Sequence, residues 1–146
     1  MMQVPVLFLV FNRPFHTRQS FEALRKIKPK YLFVGADGAR AGNVNDVENC
    51  EKVRKIVSEI DWDCEPQFLF NEKNLGTKVA VSNAINWFFS QVEEGIIMED
   101  DCIADVTFYS YAAEMLNRYK DDERIMHING TNFHRGKRVE IGRAHV

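Results

Sequence analysis

Apolar and polar positions divide the chain into two kinds of block. Val4–Phe11 is an unbroken apolar run of strand length, closed by Asn12-Arg13-Pro14. A run with no polar alternation predicts a strand buried on both faces, as in a parallel sheet. Tyr31–Ala36 repeats the pattern and stops at Asp37-Gly38. Gln67–Phe70 and Gly95–Met98 are shorter runs of the same kind, and Arg124–Ile128, ended by Asn129-Gly130, predicts a fifth strand. Between these runs apolar residues recur at helical spacing. Phe15, Phe21, Leu24 and Ile27 mark a first helix that stops at Lys28-Pro29. Val47, Cys50, Val53, Ile56, Val57 and Ile60 mark a second, and Val79, Ala80, Ala84, Trp87 and Phe88 a third. Phe108, Tyr111, Ala112, Met115, Leu116 and Tyr119 mark a fourth. Strands alternating with amphipathic helices predict an α/β fold: a Rossmann-like three-layer α/β/α sandwich around a mainly parallel sheet.

Composition narrows the function. With 45% hydrophobic and 27% charged residues among 146, the chain reads as one globular domain, not a disordered or fibrous one. The net charge of -2, from 19 basic and 21 acidic residues, argues against a nucleic-acid partner. No apolar run is long enough to span a bilayer, and Val4–Phe11 lacks the flanks of a signal peptide. The expected location is therefore cytoplasmic. Cys50, Cys64 and Cys102 have no paired spacing and read as reduced thiols. Residues 141–146 fit no structural period and match the translation of a sequencing-library adaptor. The expectation is an incomplete natural domain over 1–140 with an artefact after Glu140.

Ligands of open α/β sheets bind beyond the carboxyl ends of the strands, so the residues there are the candidates. They are Asn12-Arg13-Pro14, Asp37-Gly38, Asn71–Gly76, Glu99-Asp100-Asp101 and Asn129–Asn132. Three successive acids are costly unless something positive sits beside them. A hard divalent cation, Mn²⁺ or Mg²⁺, held by carboxylates and substrate phosphates, is the natural partner. A solvated loop in which Asp100 or Asp101 caps the next helix is the plainer reading. Asp37-Gly38 read alone is a turn. Arg13 and Lys78 are either phosphate partners or surface cations, and Asn74 and Gly76 are either a phosphate rim or the turn into the third helix. Trp87-Phe88-Phe89 and His127 read as core residues, and His16 and His134 as surface residues.

Several phrases together resemble a known family. They are Val6–Pro14 (VLFLVFNRP), Phe33–Gly38 (FVGADG), Asn74-Leu75-Gly76, Ala84–Phe89 (AINWFF) and Glu94–Cys102 (EGIIMEDDC). Residues 3–135 are similar to nucleotide-diphospho-sugar transferases of the GT-A fold, in particular bacterial enzymes related to family 2 glycosyltransferases. Some of these carry the label "hemolytic protein". The resemblance implies a metal-dependent glycosyltransferase, of which this chain is the N-terminal part. It makes Glu99-Asp100-Asp101 the counterpart of the family's Asp-x-Asp motif, with Glu in place of the first Asp. Asp101 is then the expected metal ligand, and Glu99 and Asp100 face the ribose or donor sugar. Asp37 contacts the nucleoside, Asn12 and Arg13 line the same pocket, and Asn74, Gly76 and Lys78 border the diphosphate.

The implied chemistry is attack of an acceptor hydroxyl, on a glycan, lipid or protein, at the anomeric carbon of the donor sugar. A cation stabilises the departing diphosphate and a general base takes the proton. No base is recognisable before Glu140, so by this reading the chain by itself is expected to bind donor and metal yet fail to transfer sugar. The alternative is a non-catalytic nucleotide- and metal-binding domain. A phospho-acceptor receiver would place its acid pair after the first strand, where Asn12-Arg13-Pro14 stands. A nucleotidyltransferase would carry a Gly-rich basic loop at that point.

Overall fold

A computed structural model describes residues 2–130. Eight elements alternate along it: β1 (Val6–Val10), α1 (Pro14–Ile27), β2 (Tyr31–Ala36), α2 (Val44–Val57), β3 (Glu65–Phe70), α3 (Thr77–Phe89), β4 (Ile96–Glu99) and α4 (Val106–Tyr119). The strands form one parallel sheet in the order β3-β2-β1-β4. β1 is central: Val6 pairs with Leu32 on one side and with Ile96 on the other. That is why its run is apolar throughout. Val6, Phe8 and Val10 point to one face and Leu7 and Leu9 to the other, as period-two geometry requires.

The two faces are covered unequally. Phe21, Leu24 and Ile27 of α1, Val53, Ile56 and Val57 of α2, and Tyr109 and Ala112 of α4 pack on the first face. On the second face Ala84 and Phe88 of α3 meet Leu7, Leu9 and Phe33. The strand order explains this. β3 and β4 are the two edges, so α3, which joins them, must cross beneath β2 and β1. The fold is thus the expected α/β/α arrangement.

Local chemistry sets the helix ends. Pro14 opens α1, where a missing N–H costs nothing. Lys28, at φ 49°, closes it in the left-handed conformation, its N–H bonded to the Leu24 carbonyl. The Asn43 side chain caps α2 by accepting from the Asp46 N–H at 3.1 Å, and Asp105 caps α4 by accepting from the Thr107 N–H at 2.9 Å. Among the described residues no helix is long and apolar enough to cross a membrane.

The fifth strand does not form. Arg124–Ile128 has no ladder, Met126 is 97% exposed and His127 is exposed as well, so His127 is not a core histidine. Asp122 prevents extension. Its carboxylate accepts from the Arg124 N–H at 3.2 Å and from the Arg124 guanidinium, and its carbonyl accepts from the Ile125 N–H at 2.9 Å. Such local bonds compete with strand pairing. The expectations for Thr131, Asn132, His134, Glu140 and the segment 141–146 lie outside the described residues.

Candidate ligand-binding cleft

The carboxyl ends of β1 and β2 and the first half of α3 enclose a cleft of about 380 Å³. Its floor is apolar: Leu9, Gly35, Ala36, Leu69, Ala80 and Ala84. Gly35 is there for space. A Cβ on it would lie 2.8 Å from the Cβ of Ala84 and 3.2 Å from Leu9 Cδ2. The rim is polar: Arg13, Asp37, Asn71, Asn74, Gly76, Thr77, Glu99 and Asp100. One end of the cleft lies where the strand order turns back, from β1 to β4. Such a switch point is where open α/β sheets bind ligands.

Asp37 stands at the centre of the rim and is 8% exposed. Its carboxylate accepts from the N–H groups of Gly38 at 2.9 Å, Leu75 at 3.0 Å and Gly76 at 3.1 Å. It also accepts from the side-chain amides of Asn71 at 3.2 Å and Asn74 at 2.9 Å. The same Asn74 amide donates to the Gly38 carbonyl at 2.9 Å. Gly38 is required at this crossing, since a Cβ there would sit 2.5 Å from the Lys73 main chain. Asp37-Gly38 is therefore a crossing of two segments, not a free turn. Gly76, at φ 78°, then turns the chain into α3.

The acid cluster has its positive partner within the chain. Arg13 forks between two carboxylates: one nitrogen donates to Asp100, the other to Asp101 at 3.0 Å. The hydrogen bond to Asp100, with the charges of both acids, raises the Arg13 pKa further. Asp100 is 3% exposed, pinned to α1 by Arg13 and by the Thr17 hydroxyl at 3.4 Å, while its carbonyl accepts from the Ser20 hydroxyl at 2.7 Å. Asp101 points outward. Partial burial works to raise its pKa, but the hydrogen bond and charge of Arg13, together with hydrogen bonds from its own N–H and the Cys102 thiol, hold the carboxyl below its ordinary value. Glu99 ends β4, opposite Leu9, and is exposed on the cleft.

Of the nine expected site residues, six line this cleft: Arg13, Asp37, Asn74, Gly76, Glu99 and Asp100. Asn12 does not. Its amide donates to Asp46 at 2.8 Å, in a cluster with Arg40 at the start of α2. Lys78 is exposed on α3 outside the lining, and Asp101 stands beside the cleft, not in it. Asn71, one of the strand-end candidates to which the resemblance gives no role, lines the cleft as well, and Thr77 lines it without having been singled out from the sequence. Thr77 opens a helix directly after Gly76, and that position is the signal that could have found it. Among the described residues no three His, Cys, Asp or Glu side chains are grouped to hold a metal ion. Comparison with protein-family models, with curated proteins and with solved structures finds no match to this chain.

Proposed function

We propose that this protein is a glycosyltransferase, or the donor-binding part of one, that takes a nucleotide-diphospho-sugar into the cleft. One observation carries the reading. The strand-end segments that the family resemblance assigns to the donor, far apart in sequence, meet at a single cleft: Arg13, Asp37, Asn74 with Gly76, and Glu99 with Asp100. A volume of about 380 Å³ suits a small-molecule site, and an apolar floor under a polar rim suits a ring system carrying hydroxyls and phosphates.

In this reading Glu99 accepts from hydroxyls of the ribose or sugar. Arg13 keeps donors for a phosphate beyond the two it gives to Asp100 and Asp101. The site's carboxylates supply hard oxygen donors but no closed cage of three ligands. That set fits Mn²⁺ or Mg²⁺ held by one or two carboxylates, Asp101 foremost, together with the donor's own phosphates. The chemistry such a cation would supply is stabilisation of the leaving diphosphate. The sugar passes to a hydroxyl of a glycan, lipid or protein acceptor.

The test is calorimetric titration of the protein with uridine, adenosine, guanosine and cytidine diphosphates, with and without Mn²⁺. The expected result is Mn²⁺-dependent binding of at least one of them. Asp101→Asn is expected to keep the fold and lose the Mn²⁺ dependence. If none of the four binds in the presence of Mn²⁺, the proposal is wrong.

A further inference from the structure

We infer that Asp37 is a positioning residue: it builds the wall of the cleft that faces the donor's diphosphate, and it does not itself read the nucleoside. The inference rests on the donor-binding reading above. A carboxylate offers about four lone-pair sites. Those of Asp37 are taken up by five N–H donors, from Gly38, Asn71, Asn74, Leu75 and Gly76. A base or ribose group would have to displace one of them. All five donors are neutral, so the buried charge is spread over the segment 71–76 and the entry to α3 instead of being cancelled by a cation. The Asn74 amide and the close passage of the Lys73 main chain over Gly38 stitch the same segment to the end of β2. The register of that seam fixes where Thr77 enters the cleft. If the carboxylate were lost, the Leu75 and Gly76 N–H groups would lose their acceptor, and the wall would be free to move.

The variant is Asp37→Asn, which keeps the size and one acceptor oxygen. Affinities for the four nucleoside diphosphates are measured with Mn²⁺ at a temperature well below the melting point of both proteins. Amide hydrogen exchange is followed at Leu75 and Gly76. The expected result is a fall of about tenfold in every diphosphate affinity. The order of preference among the bases stays unchanged, and exchange becomes faster at both amides. A changed order of preference would make Asp37 a direct reader of the base and overturn the inference. Unchanged affinities would make it a purely structural residue and overturn it equally. Should Asp37→Asn fail to fold, Asn74→Ala removes one donor and keeps the carboxylate. A smaller uniform loss is then expected, with the same two outcomes against it. Absence of all binding by the unsubstituted protein is a different result: it removes the donor-binding reading, and this inference with it.

Discussion

Arg13 is the residue on which the electrostatics of the cleft turn. Three acids at the end of β4 call for a positive charge, and the sequence alone points to a cation from solution. The chain supplies a guanidinium from just beyond the end of β1, the strand paired with β4. A contact 87 residues apart in sequence leaves no local signature, which is why it was not legible. Gly35 and Tyr109 each allow a sharper test. Gly35→Ala places a methyl group 2.8 Å from Ala84 Cβ and should cost about 1–3 kcal/mol in urea denaturation. Adding Ala84→Gly should recover part of that loss, so that the double variant loses less than the sum of the singles. Tyr109 is 2% exposed, and burial pushes its hydroxyl up to about 12. The folded value lies above the ordinary value of roughly 10, so the neutral side chain's contribution is complete below about pH 10. It is lost as the pH rises toward 12. Tyr109→Phe should remove that alkaline loss, measured as the difference in unfolding free energy between pH 8 and pH 11. A difference equal to that of the unsubstituted protein would contradict the assignment.

Among elements, the central strands were the most legible and the margins the least. β2 spans the predicted residues, because a strand flanked on both sides and packed on both faces must be apolar from end to end. β3 begins at Glu65, two residues before its apolar run. As an edge strand it tolerates Glu65, Pro66 and Gln67 in exposed positions. The Arg124–Ile128 run has strand composition but is captured by the Asp122 turn, a competition that hydropathy does not register. α3 shows a related limit. Three consecutive aromatics cannot share one helix face, and the structure divides them: Phe88 is fully buried, Trp87 half-buried against Phe33, and Phe89 44% exposed. Phe88 fills the space that Gly95 leaves, where a Cβ would meet its ring at 2.2 Å. Phe88→Ala should therefore cost about 3–5 kcal/mol. Trp87→Ala should cost clearly less, since part of that ring already faces solvent. Equal losses in thermal or urea unfolding would contradict this division.

At the scale of the whole molecule, the site follows from topology more than from any motif. Listing what stands at the carboxyl ends of predicted strands locates six of the nine candidates on one cleft. It does not say which side chains turn inward. Asn12 serves α2 through Asp46, and the Asp37 oxygens are spent within the fold. Hydrogen-bond partners of this kind are decided by loops crossing in space, which no periodicity encodes. The strand order has one more consequence, in time. β1 occupies the middle of the sheet, yet its partner β4 is the last made of the four strands among the described residues. At ribosomal rates of about 5–20 residues per second, the interval between synthesis of Val10 and Glu99 is roughly 4–18 seconds. Throughout it, one edge of the most apolar strand in the chain has no neighbour. A nascent chain stalled before β4 should be a substrate for chaperones that shield β edges, and one stalled well beyond it should not.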